Sequence, residues 1–190
     1  MKITVDVNER LIQDVQQKLG SFQKKAPNAI ANALNRAAST VNTNIGKEVR
    51  KQYVIKAGDV KATIVKTRAT RALLGATVRS TGQLIPLDRF KVSPKTVQPK
   101  RKKPIKVSVK KGSLKEVMGA FVADISGTKI FKRSGENRLP IRRLFGPSVP
   151  QMLSNEEIRM TIDKEGSQTF YKRLDHEINR ILEKGGVSNS

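Results

Sequence analysis

The chain opens on a two-residue alternation, with Ile3, Val5 and Val7 set against Lys2, Thr4 and Asp6. That period predicts a half-buried strand, because successive side chains of a strand point to opposite faces. Asn8 is placed to cap a helix, and Leu11, Ile12, Val15 and Leu19 then share one helical face until Gly20 ends or bends it. A second helix opens at Ala26-Pro27, where proline is tolerated in the first turn. Ile30, Ala33, Leu34, Ala37, Val41, Ile45, Val49 and Tyr53 step by three or four residues, the clearest periodicity in the chain. A short helical turn is expected over Gly58–Ile64.

Beyond this point the texture changes. Ala76–Ser80, Arg89–Ser93, Ile105–Val109, Phe121–Ile125 and Lys129–Lys132 are short runs rich in Val, Ile and Phe, punctuated by Gly, Pro, Ser and Thr. They read as strands joined by turns. Leu139–Gln151 carries Pro140, Pro147 and Pro150 and predicts an extended linker. Ser154 and Glu157 have the spacing of a capping box. Phe170, Tyr171, Leu174, Ile178, Ile181 and Leu182 form the stripe of a last helix ending at Gly185-Gly186, with Gly166 a candidate interruption. The order strand, helices, strands, helix predicts an α+β fold: a mainly antiparallel sheet covered by a long helix of the N-terminal half and by a C-terminal helix. Residues 1–153 are expected to form the α+β domain, and 154–186 a helix packing on it or on a neighbour.

Composition sharpens this. Aromatic residues make up 4% of the 190 and there is no Trp, so the core must be built from Ile, Val, Leu and Ala. Thin elements that complete their burial against copies of the same chain fit that composition. Lys and Arg number 38 against 16 Asp and Glu, a net charge of +22. Such a field attracts polyanions without a specific motif and opposes self-association unless a partner neutralises it. Cysteine is absent, which removes disulfides and thiolate metal sites. No apolar run approaches the roughly 20 residues that span a bilayer, and Met1–Val7 is too short for a signal peptide. No membrane partner is expected, and the protein is read as soluble and cytoplasmic when made.

The residues for catalysis are not there in a usable arrangement. His176 is the one histidine and lies among Asp175, Glu177 and Arg180 on the last helix, a surface position. The carboxylates are scattered, and no cluster suited to two metal ions can be assembled from their spacing. Lys110-Lys111-Gly112-Ser113 lacks the spacing of a phosphate loop. No catalytic residue, cofactor or metal is expected.

The basic centre is more informative. Val60–Lys115 holds 16 Lys and Arg, and its one acid is Asp88. The densest part contains Lys95, Lys100, Arg101, Lys102, Lys103, Lys106, Lys110 and Lys111, with the four-residue block flanked by Pro99 and Pro104. Two functions compete for these cations: non-specific contact with the phosphates of double-stranded DNA, or docking of an acidic protein neighbour. A solvated loop is the plain alternative. No aromatic residues are interleaved, which argues against single-strand recognition.

The linker itself is too apolar to be only a linker. Leu139, Ile141, Leu144, Phe145, Val149 and Met152 lie on a stretch stiffened by three prolines, beside Arg142 and Arg143. Exposed apolar groups on a stiff segment mark a partner site, and Arg pairs well across interfaces. Packing as a crossover on its own sheet is an equally good account.

Several segments carry a family resemblance: Ala33-Leu34-Asn35-Arg36-Ala37-Ala38, Lys47 to Tyr53, Arg68-Ala69-Thr70-Arg71, Ile85-Pro86-Leu87-Asp88-Arg89-Phe90, Gly119 to Ala123, and above all Leu139 to Met152. Together they resemble the prophage minor tail protein Z family of tailed phages over about residues 26–153. The resemblance implies a structural, non-enzymatic component of the virion tail, acting in tail completion at the head-proximal end. It implies a homo-oligomeric ring, other tail or neck proteins as partners, and proximity to packaged double-stranded DNA. A cellular non-specific DNA-binding protein is the alternative.

Overall fold

A computed structural model describes residues 1–186, and the chain divides into two compact units. The first comprises Met1–Ile45, Ile64–Ser80 and the chain from Asn155 onward; the second comprises Gly46–Thr63 and Thr81–Ser154.

The first unit is built on helices. Strand β1 (Lys2–Asp6) leads into helix α1 (Glu9–Leu19), whose Asn8 cap accepts a hydrogen bond from the Leu11 backbone N–H at 2.9 Å. Gly20 ends α1 with a φ of +50°, a conformation open to glycine, and a 3-10 turn (Gly20–Lys25) follows. Helix α2 (Ala26–Gln52) then runs for 27 residues, passing from the first unit into the second after Ile45. In the first unit, Ile30, Ala33, Leu34, Ala37, Val41 and Ile45 of its periodic stripe are at most 1% exposed. Burial of the larger ones stabilises the unit by about 1.5–3 kcal/mol each. Strands β2 (Ile64–Thr67) and β3 (Gly75–Ser80) join β1 in an antiparallel sheet of order β1-β3-β2. Its register pairs Ile3 with Val78 and Val5 with Ala76, putting the apolar positions of both strands on one face.

Helix α5 (Glu156–Gly186) closes this unit. Its cap is Asn155, whose side chain accepts from the Ile158 N–H at 3.3 Å, one residue beyond the expected Ser154. Gly166 does not interrupt it. A Cβ there would stand 2.8 Å from Val41 Cγ2, so glycine lets α5 lie directly against α2. Ile158, Ile162, Phe170, Leu174 and Ile178 are its buried face, whereas Tyr171 and Leu182 of the expected stripe are exposed.

The second unit holds the C-terminal end of α2, a short helix α3 (Ala57–Lys61) and three small antiparallel sheets. Strands β4 (Ile85–Pro86), β5 (Lys91–Ser93), β6 (Ile105–Ser108), β7 (Lys115–Val117), β8 (Ala120–Asp124), β9 (Thr128–Arg133), β10 (Ile141–Arg143) and β11 (Phe145–Gly146) follow in sequence. They assemble as β5-β6-β7, β10-β9-β8 and β11-β4. The mixed helical and antiparallel character agrees with the α+β expectation, although the strands form four separate sheets.

The proline-rich segment departs from the expected extended linker. It contributes β10 and β11, then helix α4 (Val149–Leu153), capped by a reciprocal Ser148/Gln151 box with Pro150 in the first turn. Proline rules out a helix interior but suits a strand edge or a first helical turn, and both uses occur here.

Candidate functional site

Four of the segments that carry the family resemblance meet in two pairs. In the first unit the Asn35 side chain binds Ala69 twice, donating to its carbonyl at 3.0 Å and accepting from its N–H at 2.9 Å. One helix residue thereby pins the loop before β3. In the second unit Asp88 accepts two bonds from Arg143, at 2.9 and 3.1 Å. Phe145 and Gly146 pair with Pro86 and Ile85, and Gly146 lies so close to Phe90 that a Cβ would stand 2.7 Å from the ring. Tyr53 bridges to Lys110, whose ammonium lies 5.8 Å from the centre of the phenol ring. Burial raises the Tyr53 phenol above its ordinary pKa.

These pairings settle where the residues of 139–152 lie. Val149 and Met152 have no exposed surface and belong to the core of their own unit. Arg143 is held by Asp88, and Ile141 and Leu144 are half-buried. Arg142 is exposed, as are Leu139 at 68% and Phe145 at 47%; the Arg143 guanidinium lies 5.7 Å from the Phe145 ring. The segment is thus largely a crossover on its own unit, from which Leu139, Arg142 and Phe145 stand out.

Charge divides unevenly between the units. The second holds 22 Lys and Arg against 6 Asp and Glu, a net +16, leaving +6 for the first. Lys95, Lys100, Arg101, Lys102, Lys103, Lys106, Lys110 and Lys111 are all exposed and all in the second unit, but they are not equivalent. Lys106 pairs with Glu116 at 3.3 Å, and Lys110 covers Tyr53. Arg101 is folded back onto its loop, donating to the carbonyls of Lys103 and Pro104 and to Gln98 Oε1 at 3.0–3.3 Å. The side chains of Lys100, Lys102 and Lys103 have no partner among the described residues. The loop is therefore shaped by one arginine and presents three lysines outward.

Sequence reasoning missed the wall opposite this loop. A groove of about 380 Å³ separates residues 94–105 from β8, and Arg133 of β9 stands at its rim. No composition or spacing signal singles out Arg133; only the β8–β9 pairing brings it there. Among the described residues no group of three His, Cys, Asp or Glu side chains could hold a metal ion, and no helix is long and apolar enough to cross a membrane.

Comparison with known proteins decides the family. The model of the prophage minor tail protein Z family matches residues 12–184. The chain belongs to that family. The match takes in the last helix, which carries no recognisable motif, as well as every segment named above. Neither a curated protein nor a solved structure matches the chain. A minor tail protein Z is a structural protein of the phage tail.

Proposed function

We propose that this chain completes the head-proximal end of the tail, where it takes part in joining tail to head and in holding DNA near the tail lumen. It acts without catalysis, as a homo-oligomeric ring among other tail or neck proteins, after assembly in the host cytoplasm. The observation that carries this reading is the concentration of charge in one unit of a tail-family protein: a net +16, with Lys100, Lys102 and Lys103 unpaired at the surface. Packaged DNA or an acidic neighbour supplies the counter-charge, by phosphate contacts that need no base readout or by complementary side chains. Leu139, Arg142 and Phe145 are the subunit contacts within the ring.

A phage lacking this chain tests the proposal. Filled heads and tails should accumulate unjoined, and purified protein should restore joining when added to them. Normal joining in its absence would overturn the reading. The alternative of a cellular DNA-binding protein predicts no effect on particles and salt-sensitive binding to bare DNA.

A further inference from the structure

Strand β8 is the outer strand of its sheet, because the order β10-β9-β8 leaves one of its sides unpaired. Four consecutive residues, Ala120 to Ala123, line the groove beside it. Consecutive residues of a strand point to opposite faces, so a groove touched by all four runs along the strand's edge, where backbone N–H and C=O groups project. The inner edge is taken by β9, which leaves the outer one. No backbone hydrogen bond from the described residues reaches that outer edge. An open edge of this kind is a template for another strand unless it is covered.

The far wall explains what could enter. Val97, Pro99 and Ile105 make it apolar, Arg101 and Lys103 line it from the same loop, and the Arg133 guanidinium lies 5.9 Å from the Phe121 ring of β8. No acid lines the groove. The Arg101 side chain bonds to the backbone of its own loop and not to the β8 edge. We infer that this slot takes an extended acidic segment of another polypeptide, added as a strand to the outer edge of β8. Backbone pairing supplies affinity, alternate side chains meet the apolar wall, and the cationic rim selects acids. A DNA duplex offers no strand to pair with. A second copy of this chain is disfavoured, because joining two β8 edges about a two-fold axis brings two cationic rims together. The inference deepens the acidic-partner half of the proposed function but is tested apart from head–tail joining, so either can fail alone.

The test uses the whole chain and a labelled peptide alternating Val and Glu. Anisotropy should show binding, and amide hydrogen exchange should slow at Ala120–Asp124. A Val/Lys peptide, or a Val/Glu peptide interrupted by Pro, should bind at least about tenfold more weakly, equivalent to about 1.4 kcal/mol. Joint Lys103→Glu and Arg133→Glu substitution should abolish binding with the melting temperature unchanged. Should that pair unfold the chain, Lys103→Gln with Arg133→Gln takes its place, with weakened binding expected. No binding of the Val/Glu peptide, equal binding of its Pro version, protection away from β8, or tighter binding of a DNA duplex to the same groove would each overturn the inference.

Discussion

In the first unit two carboxylates, Glu165 and Glu177, tie helices together, and in the second the cations far outnumber the acids. Glu177 has no exposed surface, yet it bonds Arg180 at 2.7 Å, pairs with Arg173, and accepts from Asn32 of α2 at 3.4 Å. Asn44 of α2 likewise donates to Glu165 of α5. Carboxylates there tie one helix to another. The second unit also pairs its acids, Asp88 with Arg143 and Asp59 with Arg89 at 3.5 Å, but it has 6 acids for 22 bases. Six acids cannot match 22 bases, and Lys100, Lys102 and Lys103 are left unpaired on their loop. Net charge therefore marks a working surface only when it is divided by unit. The chain-wide +22 points to no particular face, whereas +16 on the unit of small sheets does.

The contrast can be broken first at the cores, where it should vanish. Leu34→Ala in the first unit and Met152→Ala in the second each remove a side chain with no exposed surface. Each should cost about 2–5 kcal/mol in denaturant unfolding. A Met152→Ala chain as stable as the parent would show that α4 is not core.

A smaller effect should separate the two kinds of ion pair. Glu177→Gln should destabilise by about 1–3 kcal/mol, because the amide keeps the shape but loses charge-assisted bonds. The half-exposed Arg173 and Arg180 can return to water, which keeps the cost below that of a wholly buried pair. Asp88→Asn should cost about 1 kcal/mol or less, since Asp88 and Arg143 both remain partly solvated. Equal losses would erase the distinction.

Phe145→Asp should leave the melting temperature nearly unchanged and reduce particle mass, as measured by light scattering. A large fall in melting temperature would place the half-exposed Phe145 ring in the core and remove the ring contact. The smallest effect concerns Tyr53. Its folded-state pKa is raised by burial, so the unfolded chain loses the phenolic proton first. Stability should hold below the unfolded value of about 10 and fall as pH rises from there through the folded value. Tyr53→Phe should flatten that alkaline fall in urea titrations at stepped pH.

Long periodic stretches were legible in the sequence. The α2 stripe from Ile30 to Tyr53 and the β1 alternation are set by local side-chain spacing, and both have the expected faces. The core strands β3, β6, β8 and β9 fall within a residue or so of the apolar runs that foretold them. What escaped was decided by partners distant in sequence. β10 and β11 exist because β9 and β4 are there to pair with them, and a proline-bounded tripeptide such as Ile141–Arg143 shows no alternation that could announce it. β2 was hidden because Ile64-Val65-Lys66-Thr67 is mostly exposed and carries no buried face to mark it. The cationic cluster was visible as composition, but the folding back of Arg101 and the arrival of Arg133 at the groove depend on tertiary geometry.

The central claim is that the unpaired lysines of the second unit serve assembly rather than folding. Joint Lys100→Glu, Lys102→Glu and Lys103→Glu substitution addresses it most directly, because Arg101 and its loop-shaping bonds stay in place. Melting temperature and the fraction of heads joined to tails, counted by electron microscopy, should be read on the same variant. The account predicts an unchanged melting temperature with joined particles reduced at least about tenfold, as expected when several charge-assisted contacts are lost together. Normal joining with a stable subunit, or unfolding of the subunit itself, would contradict it.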